Sequence, residues 1–436
     1  MKVIVTAAPV IGHLNPLLAI GRILAERGHE VVAYAPSDFR GEVEINGLKF
    51  HSYRPDADFS VRARGELGRR SSLLPPGYGA LKLDWEQVFV ERMDAEYQGL
   101  RALLRDFPAD VILAESMTFA TLPMLTGAHA GRPAIAHVGV TFLQLSREDR
   151  APMFAGLPPA TSETEHGAYA ATFAQAKAEW FDPIDALINA VLTARGCPPL
   201  TMPFYDAAIR LPDLFLQVGV PEFELPTYTL PSSLHFIGAT APAPGRYPIP
   251  PWAKDLENGR RRLVLVTQGI AANAHLDHLI GPTFEALAGE KDMLVIATTG
   301  GRPVETLGTL PSNARLAPFL PYDWLMPKLD LVVTNAGHGF ATQALSLGIP
   351  LVQAGTTEDK REVATRIIAS GVGIALGTDV PTPLDIRNAV QRVLAYPSYR
   401  QNADALSRAF DAHDLRRQIG PLFQKLMDSA WTSAIL

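Results

Sequence analysis

A chain of 436 residues, 47% of them apolar, is too long for one ordinary domain and can bury two cores, so we expect two domains. The formal net charge of −6 gives no basic field for nucleic acid, and we expect no nucleic-acid partner. Cys197 is the only cysteine, which excludes an intrachain disulfide and a thiolate zinc site and favours a reducing, cytoplasmic compartment.

The amino-terminal run MKVIVTAAPVIGHLNP predicts a first buried strand at 2–8. Its apolar stretch stops at Gly12 and shows neither a signal-peptide cleavage pattern nor the length of a membrane span. The stretch 16–28 predicts a helix that Pro16 opens and Gly28 closes, with apolar residues spaced along one face. We therefore expect a βαβ unit here and no membrane-spanning segment.

Further near-continuous apolar runs in the first half predict buried strands, at 30–36, 110–115 and 133–139. Strands of this kind, separated by helices, are typical of a parallel sheet covered on both faces. Residues 140–230 are less regular and rich in Pro, Phe and Ala, with helices predicted near 165–180 and 182–195. This segment predicts a hydrophobic wall over a cleft.

A second alternation of apolar runs and helical stretches follows a Pro-rich, charged stretch. Its strands are expected at 262–269, 292–300, 314–321, 330–337, 349–355 and 372–377. The predicted fold class is α/β, with two doubly wound, Rossmann-like domains whose parallel sheets face each other across a cleft. The expected limits are a first domain at 1–238, a linker at 239–261, a second domain at 262–405, and carboxy-terminal helices at 406–436 that pack back toward the first domain.

The turn NAGHGF, residues 335–340, follows a predicted strand and precedes a predicted helix that continues through Leu345. In an open parallel sheet ligands bind beyond the carboxyl ends of the strands, and the free N–H groups and dipole of a helix N-terminus attract anions. Gly337 and Gly339 would let a phosphate approach the backbone closely. Glycine spacing alone is equally consistent with a tight strand-to-helix turn.

The longer segment RLAPFLPYDWLMPKLDLVVTNAGHGFATQALSLGIPLVQAGTTEDK resembles the nucleotide-binding signature of the UDP-glycosyltransferase family, the GT-B enzymes that glycosylate small lipophilic molecules. The segment VIGHLNPLLAIGRILAERGHEV resembles the opening region of the same family, with its catalytic histidine. The resemblance covers the whole chain and is to bacterial enzymes of the macrolide and natural-product type. It implies that the first domain binds the acceptor and the second binds the nucleotide-sugar donor.

The resemblance also implies roles in the donor site. Phe319 and Leu320 would flank the base, the turn 335–340 would hold the diphosphate, and Gln343 would face the ribose. Asp359 and Lys360 would face the sugar hydroxyls. The full set of expected donor-binding residues is Gly269, Phe319, Leu320, Asn335, Gly337, His338, Gly339, Phe340, Gln343, Asp359 and Lys360.

Four positions depart from the family pattern. Asn335 stands where the family usually has a phosphate-binding His, Gln343 where it has a ribose-binding carboxylate, and Lys360 where it has Gln. Ile270 stands where a phosphate-contacting hydroxyl often follows the glycine. Each replacement except Ile270 can still form hydrogen bonds, so UDP and dTDP sugars both remain open as donors.

Several of these residues have a plain structural alternative. Phe319 can be ordinary core, and Lys360 can be solvated. Glu358 and Asp359 can be solvated or can cap the following helix, although their place at the carboxyl end of a strand favours ligand contact for Asp359. His338 can donate to the diphosphate or can simply tolerate the backbone of the turn.

His13 follows the first predicted strand and immediately precedes the first helix, so we expect its side chain to face the cleft. A helix N-terminus disfavours imidazolium, which keeps the ring available as a base near neutral pH. The resemblance implies a carboxylate partner at the end of a later strand, where Glu115 stands one methylene longer than the family's Asp. The alternative is that His13 merely caps the turn.

His275 and His278 are a possible metal pair, but the sequence offers no clear third ligand, and we interpret them as a solvated helix face. Glycosyltransferases of the resembled fold need no metal, and we expect neither a metal nor a cofactor beyond the nucleotide-sugar co-substrate.

The resemblance therefore implies an inverting hexosyltransferase that moves a sugar from a UDP- or dTDP-sugar to a hydroxyl of a hydrophobic small molecule or natural product. His13 would be the general base and Glu115 its partner. Two alternatives stay open: a sugar-nucleotide epimerase of the same fold, and a catalytically silent partner protein. The expected oligomeric state is a monomer or a homodimer.

Overall fold

The computed structural model describes residues 1–60, 77–128, 131–241, 247–256, 261–269, 275–335 and 337–435, without the side chains of 306 and 429–435. Ile270, the departure expected after Gly269, lies outside the described residues, as do 242–246 and 257–260 of the expected linker. Across the described helices, none combines the length and apolar character needed to cross a bilayer.

Seven strands form the sheet of the first domain: β1 Lys2–Thr6, β2 Glu30–Ala35, β3 Lys49–Ser52, β4 Val111–Glu115, β5 Ala134–Gly139, β6 Leu214–Gln217 and β7 Leu234–Phe236. They pair in parallel in the order β3-β2-β1-β4-β5-β6-β7. The central strands β1, β4 and β5 are mostly apolar and are buried along almost their whole length, as expected for a parallel sheet covered on both faces.

Six strands form the sheet of the second domain: β8 Arg262–Thr267, β9 Met293–Thr298, β10 Ala314–Ala317, β11 Leu331–Thr334, β12 Leu351–Gln353 and β13 Gly373–Ala375. They are also parallel, in the order β10-β9-β8-β11-β12-β13. In both sheets the strand order reverses between the first and the fourth strand of the domain. Such a topological switch point opens a crevice at the carboxyl ends of the strands, where ligands bind.

The helices connect and cover these strands. They are α1 Ile11–Glu26, α2 Arg40–Ile45, α3 Tyr78–Trp85, α4 Met93–Asp106, α5 Leu122–Thr126, α6 Glu163–Ala176, α7 Asp182–Ala194, α8 Phe204–Arg210, α9 Ile280–Leu287, α10 Tyr322–Leu325, α11 His338–Ser346, α12 Lys360–Ser370, α13 Pro383–Ala395, α14 Pro397–Ala412 and α15 Leu415–Ile435. Short π-helical turns at Glu86–Val90 and Lys177–Phe181 extend α3 and α6.

The start of the first helix corrects the expectation from the sequence. α1 begins at Ile11, so Pro16 lies inside the helix rather than opening it, and His13 lies in the first helical turn rather than before the helix. The backbone N–H groups of His13 and Leu14 both donate to the carbonyl of Val10, at 2.9 and 3.1 Å. Pro16 is the sixth residue of α1 and has no N–H to donate to the carbonyl of Gly12, so the helix lacks one hydrogen bond there.

The region 140–230 also contains more regular structure than its composition suggested. It contributes β6 to the first sheet, next to β5, and the short β7 follows at its end. The edge strand β3 was likewise not predicted, because it is short and partly exposed and its sequence KFHS carries no apolar run.

The carboxy-terminal helices divide between the two domains. Leu406 and Phe410 of α14 belong to a core of the second domain, against α11. α15 returns to the first domain, where its apolar residues join the core beneath α1 and Arg416 pairs with Glu26 at 2.8 Å. The residues of α15 in that core are Leu415, Ile419, Phe423 and Leu426.

A buried ion network joins α12 of the second domain to the first domain. The Arg366 guanidinium donates to Glu224 of the first domain at 2.7 Å and to Glu362 of its own helix at 2.9 Å. It also donates to the hydroxyl of Tyr228 at 3.1 Å. Arg366 and both carboxylates are buried, so each charge depends on the others for compensation. The network therefore fixes the position of α12 relative to the first domain.

Candidate active site

The first switch point brings together His13 and Glu115. The first turn of α1 places His13 just beyond the end of β1, and Glu115 is the last residue of β4, the neighbouring strand. The Nδ1 atom of His13 lies 3.4 Å from Oε2 of Glu115. The Glu115 side chain is fully buried and the His13 side chain is 16% exposed, so only the imidazole reaches the surface of the cleft.

The pair is within ion-pair distance but outside hydrogen-bond geometry. In the described part of the chain, neither Nδ1 of His13 nor Oε2 of Glu115 has a hydrogen-bond partner. The other carboxylate oxygen, Oε1, accepts a hydrogen bond from the hydroxyl of Ser116 at 3.0 Å, which holds the carboxylate in place. Hydrogen bonds between catalytic groups are often long without substrate, and a small rotation of the imidazole would align this one.

The pKa of His13 is raised above its ordinary value of 6.5. Burial is the largest single effect and lowers this pKa, but the charge and the side-chain contact of Glu115, together with the charges of Asp359 and Glu358 of the second domain, outweigh it in sum. The helix N-terminus was expected to disfavour imidazolium, whereas the nearby carboxylates set the direction of the net shift of the His13 pKa and favour it. Gly219, which follows β6, packs against the ring of His338, which follows β11, so the carboxyl ends of the two sheets face each other across the cleft.

At the second switch point, the glycine-rich turn leads from β11 into α11. The helix begins at His338, and its N-cap residue is Gly337, which has no side chain to cap the helix. A Cβ atom built on Gly339 would meet nothing within 4 Å, so the turn is open on that side. Asn335, at the start of the turn, packs against Gly355 after β12. The arrangement can receive an anion at the N-terminus of α11.

Asp359 caps this helix. Its Oδ2 atom accepts a hydrogen bond from the backbone N–H of His338 at 2.8 Å. Asp359 occupies the N-cap position of its own helix, α12, yet makes no side-chain capping bond there. Burial raises the pKa of Asp359, while the His338 N–H and the charges of Lys360 and His13 oppose that shift. The carboxylate is thus neither solvated nor a cap of α12, the two structural alternatives considered from the sequence.

Three expected donor-binding side chains lie elsewhere in the described structure. Leu320 is 4% exposed and belongs to the core of the second domain, so its side chain does not flank a base. Lys360 is buried, and its ammonium donates to Glu358 at 2.7 Å and to Thr357 at 3.1 Å, so it is not the solvated side chain considered from the sequence. The amide nitrogen of Gln343 donates to the carbonyl of Thr240 at 3.1 Å.

The ring of His338 is buried at the interface between the domains. A Cβ atom built on Gly219 of the first domain would lie 3.6 Å from the ring, and Phe223 packs at 6.3 Å between centroids. Burial, with the nearby charge of Arg366, lowers the pKa of His338 to about 3, so the ring is neutral. It is the backbone N–H of His338, not its imidazole, that faces the turn.

Phe319 forms part of an exposed aromatic platform rather than core. Its side chain is 38% exposed, and its ring stacks on Tyr247 with centroids 4.8 Å apart and planes 4° apart. Phe340 lies deeper and packs on Tyr322 at 5.6 Å. Tyr247 lies within the expected linker, and sequence reasoning did not select it because no strand or helix pattern places it beside Phe319.

A hydroxyl cluster at the ends of β8 and β9 was also missed. The Thr298 hydroxyl bonds to the hydroxyls of Thr267 and Tyr322, each at 2.8 Å. Thr267 also accepts from the backbone N–H of Gly269 at 3.2 Å, and Gly269 itself adopts a φ of +66°. The sequence did carry a signal for this cluster, because Thr267 and Thr298 each end a predicted strand. The carboxyl ends of parallel strands meet at the same edge of a sheet, so the two hydroxyls could be expected to lie close together.

The possible metal pair has a third group that the sequence argument did not identify. Asp277 lies between His275 and His278, and ligand atoms of the three residues fall within 4.8 Å of one another. The His275 and Asp277 side chains are 67% and 83% exposed, and the rings of His275 and His278 stack with centroids 4.8 Å apart.

The chain is similar in sequence to known proteins over nearly its whole length. The family model for the C-terminal domain of erythromycin biosynthesis protein CIII-like proteins matches residues 284–415. The 4'-demethylrebeccamycin synthase of Lentzea aerocolonigenes is 35% identical over 95% of this chain and 96% of its own length. UDP-glycosyltransferase 2 of Phaeomoniella chlamydospora is 33% identical over 97% of this chain and 95% of its own.

Solved structures show the same architecture. CalG4, the calicheamicin glycosyltransferase, matches with a TM-score of 0.73 at 17% identity, covering 98% of both chains. The glycosyltransferase VinC, solved in complex with dTDP, matches with a TM-score of 0.71 at 20% identity, covering 98% of this chain and all of its own. These likenesses confirm the predicted fold class, two doubly wound domains of the GT-B type.

The fold and the paired switch-point sites define a nucleotide-sugar-dependent glycosyltransferase. The chain belongs to the UDP-glycosyltransferase family, as its resemblance to that family implied. The proteins named above are transferases or synthases, and we therefore set aside the epimerase and the silent partner protein as alternatives.

Proposed function

We propose that this enzyme transfers a sugar from a UDP- or dTDP-sugar to a hydroxyl of a hydrophobic natural product, with inversion at the anomeric carbon. One observation carries the proposal. The His13–Glu115 pair at the first switch point faces the N-terminus of α11 and Asp359 at the second, close enough for Asp359 to raise the pKa of His13. A base on one side of the cleft and a site for the leaving diphosphate on the other are the arrangement that direct displacement at the anomeric carbon requires.

In this mechanism His13 removes the proton from the acceptor hydroxyl. The new oxygen-to-carbon bond forms on one face of the anomeric carbon while the bond to the diphosphate breaks on the other. Glu115 stabilises the imidazolium that forms, because its buried carboxylate lies 3.4 Å from Nδ1. Positioned proton transfer of this kind contributes about a hundredfold to ten-thousandfold in rate.

The diphosphate leaves with its charge facing the N-terminus of α11. The helix fixes the direction of the backbone N–H groups there, so they can stabilise the departing charge once Asp359 has released the N–H of His338. Asp359 is proposed to hold two sugar hydroxyls, and Phe319 to present one face to the base. No step requires a metal ion, and we expect transfer to be unaffected by a chelator.

The acceptor side of the cleft is aromatic. The ring of Phe89 lies 6.1 Å from that of His13, and Trp85 lies 5.1 Å from Phe89. Phe154 and Trp180 continue the cluster, at 6.1 and 5.4 Å from Trp85. Trp85 and Trp180 are buried core residues, so it is the partly buried Phe89 and Phe154 that can offer ring surface to an acceptor. Aromatic walls bind flat lipophilic molecules through area burial and ring contacts. The names of the rebeccamycin and calicheamicin relatives support a natural-product acceptor, and the dTDP complex of VinC supports a dTDP donor.

The proposal is tested by following release of the nucleoside diphosphate from UDP- and dTDP-sugars, with and without aromatic or polyketide-like acceptors. We expect release that depends on such acceptors, together with a glycosylated product of inverted configuration at the anomeric carbon. Efficient transfer to free hexoses but not to phenolic or macrolide-like compounds would contradict the proposed acceptor. Retention of configuration would contradict the mechanism.

A further inference from the structure

The N-terminus of α11 is capped by a carboxylate from a different helix. Gly337 offers no side chain at the N-cap, and the Asp359 carboxylate, 21 residues along the chain, accepts the first free N–H of the helix at 2.8 Å. A Cβ atom built on Gly337 would lie 3.3 and 3.5 Å from the two carboxylate oxygens, so the glycine leaves room for this contact. An anionic group of the protein therefore occupies part of the anion site.

This contact has opposite consequences for the two ligands of the reaction. A free nucleoside diphosphate brings a terminal phosphate with extra negative charge to a helix N-terminus whose His338 N–H Asp359 already binds, and like charges this close repel. An intact donor brings sugar hydroxyls, which are hydrogen-bond donors that can satisfy the carboxylate once it leaves the helix. In both complexes Asp359 loses its hydrogen bond from the His338 N–H, but only the donor replaces that bond, with hydrogen bonds from its sugar hydroxyls.

We propose that Asp359 discriminates between the sugar donor and the nucleoside diphosphate product by competing for the N-terminus of α11. In the empty site the carboxylate caps the helix, and in the donor complex it turns to the sugar. After transfer it returns to the His338 N–H and favours release of the diphosphate. The inference rests on the proposed function, since it takes the N-terminus of α11 as the diphosphate site.

The test compares the wild-type protein with Asp359→Asn, by calorimetric titration with UDP, dTDP and the corresponding nucleotide sugars. The amide cannot compete as a charged group, and the helix dipole interaction it gives up is modest, so we expect the free diphosphates to bind about two- to fivefold tighter. The nucleotide sugar is expected to bind about tenfold more weakly, because hydrogen bonds to a charged group are lost.

Asp379→Asn is the matched control. Asp379 lies in the same domain and its carboxylate accepts from the backbone N–H and the hydroxyl of Thr356, at 2.8 and 2.5 Å, so the substitution removes the same charge without touching α11. We expect it to change neither affinity. Melting temperatures of both variants establish that the fold is retained.

The outcomes separate the two proposals. Diphosphate affinity that is unchanged or weakened in Asp359→Asn overturns the competition, as does an equal gain in the Asp379→Asn control. If Asp359→Asn binds the diphosphate more tightly but the nucleotide sugar with unchanged affinity, the competition is supported and the proposed contact between Asp359 and the sugar is contradicted. Absence of diphosphate binding to the wild-type protein overturns both this inference and the proposed function.

Discussion

The Nδ1 atom of His13 and the Oε2 atom of Glu115 lie 3.4 Å apart at the ends of adjacent strands, with the carboxylate fully buried and the imidazole at the cleft surface. Only one edge of the ring is therefore available to an acceptor. The buried edge faces a charge that favours the protonated ring, which is the state that a general base reaches during the reaction.

We predict that His13→Ala lowers turnover by about a hundredfold to ten-thousandfold, the usual range for positioned proton transfer. Donor affinity should barely change, because the diphosphate site lies on the other domain. Steady-state kinetics and donor titration measure the two quantities. A loss below about tenfold would show that His13 is not the base.

Glu115→Gln is predicted to shift the pH profile as well as the rate. In the wild-type protein His13 must be neutral to act, so turnover should rise with pH through a pKa that lies above 6.5. Removing the Glu115 charge lowers the pKa of His13, so the acidic limb of the profile should move to lower pH while maximal turnover falls. A limb that stays in place would show that Glu115 does not act through His13.

The double variant His13→Ala, Glu115→Gln completes this test. If the two residues act as one unit, its loss of turnover should be close to that of His13→Ala alone. Losses that multiply would assign Glu115 an independent role.

The donor prediction concerns the ribose. Gln343 is neutral, and its amide nitrogen donates to the carbonyl of Thr240. We therefore expect the enzyme to discriminate only weakly at the ribose 2′-hydroxyl, which UDP donors have and dTDP donors lack. The two should differ in kcat/KM by less than about a hundredfold, or about 2.7 kcal/mol. A larger preference for the UDP donor would indicate a ribose contact that the neutral amide does not explain.

Stability should depend strongly on the Arg366 network. Arg366→Ala leaves two buried carboxylates, Glu224 and Glu362, without their shared cation, and such a change costs about 3–5 kcal/mol. Arg400→Ala is the control, since Arg400 pairs with Asp404 at the surface, where both side chains are nearly half exposed, and exposed pairs contribute about 0–1 kcal/mol. Denaturant titration measures both. Equal losses would contradict the role given to the buried network.

Local patterns in the sequence determined the architecture and the position of the chemistry. Apolar runs of strand length, separated by helical stretches, predicted two parallel sheets, and β1, β4, β8 and β11 fall within the predicted ranges. His13 and the turn at 335–340 were selected because they follow predicted strands, and Glu115 because the family resemblance implies a carboxylate at the end of a strand. Parallel strands end at one edge of the sheet, so that choice required no knowledge of tertiary contacts.

The tertiary structure alone decided which groups those side chains meet. Asp359 caps α11 instead of α12, Lys360 is buried against Glu358, and Phe319 stacks on Tyr247 from the linker region. The sign of the His13 pKa shift likewise depends on Glu115 and on carboxylates of the other domain. Strand and helix periodicity is a property of neighbouring residues, whereas side-chain direction, burial and the sum of distant charges arise only when separate elements pack together.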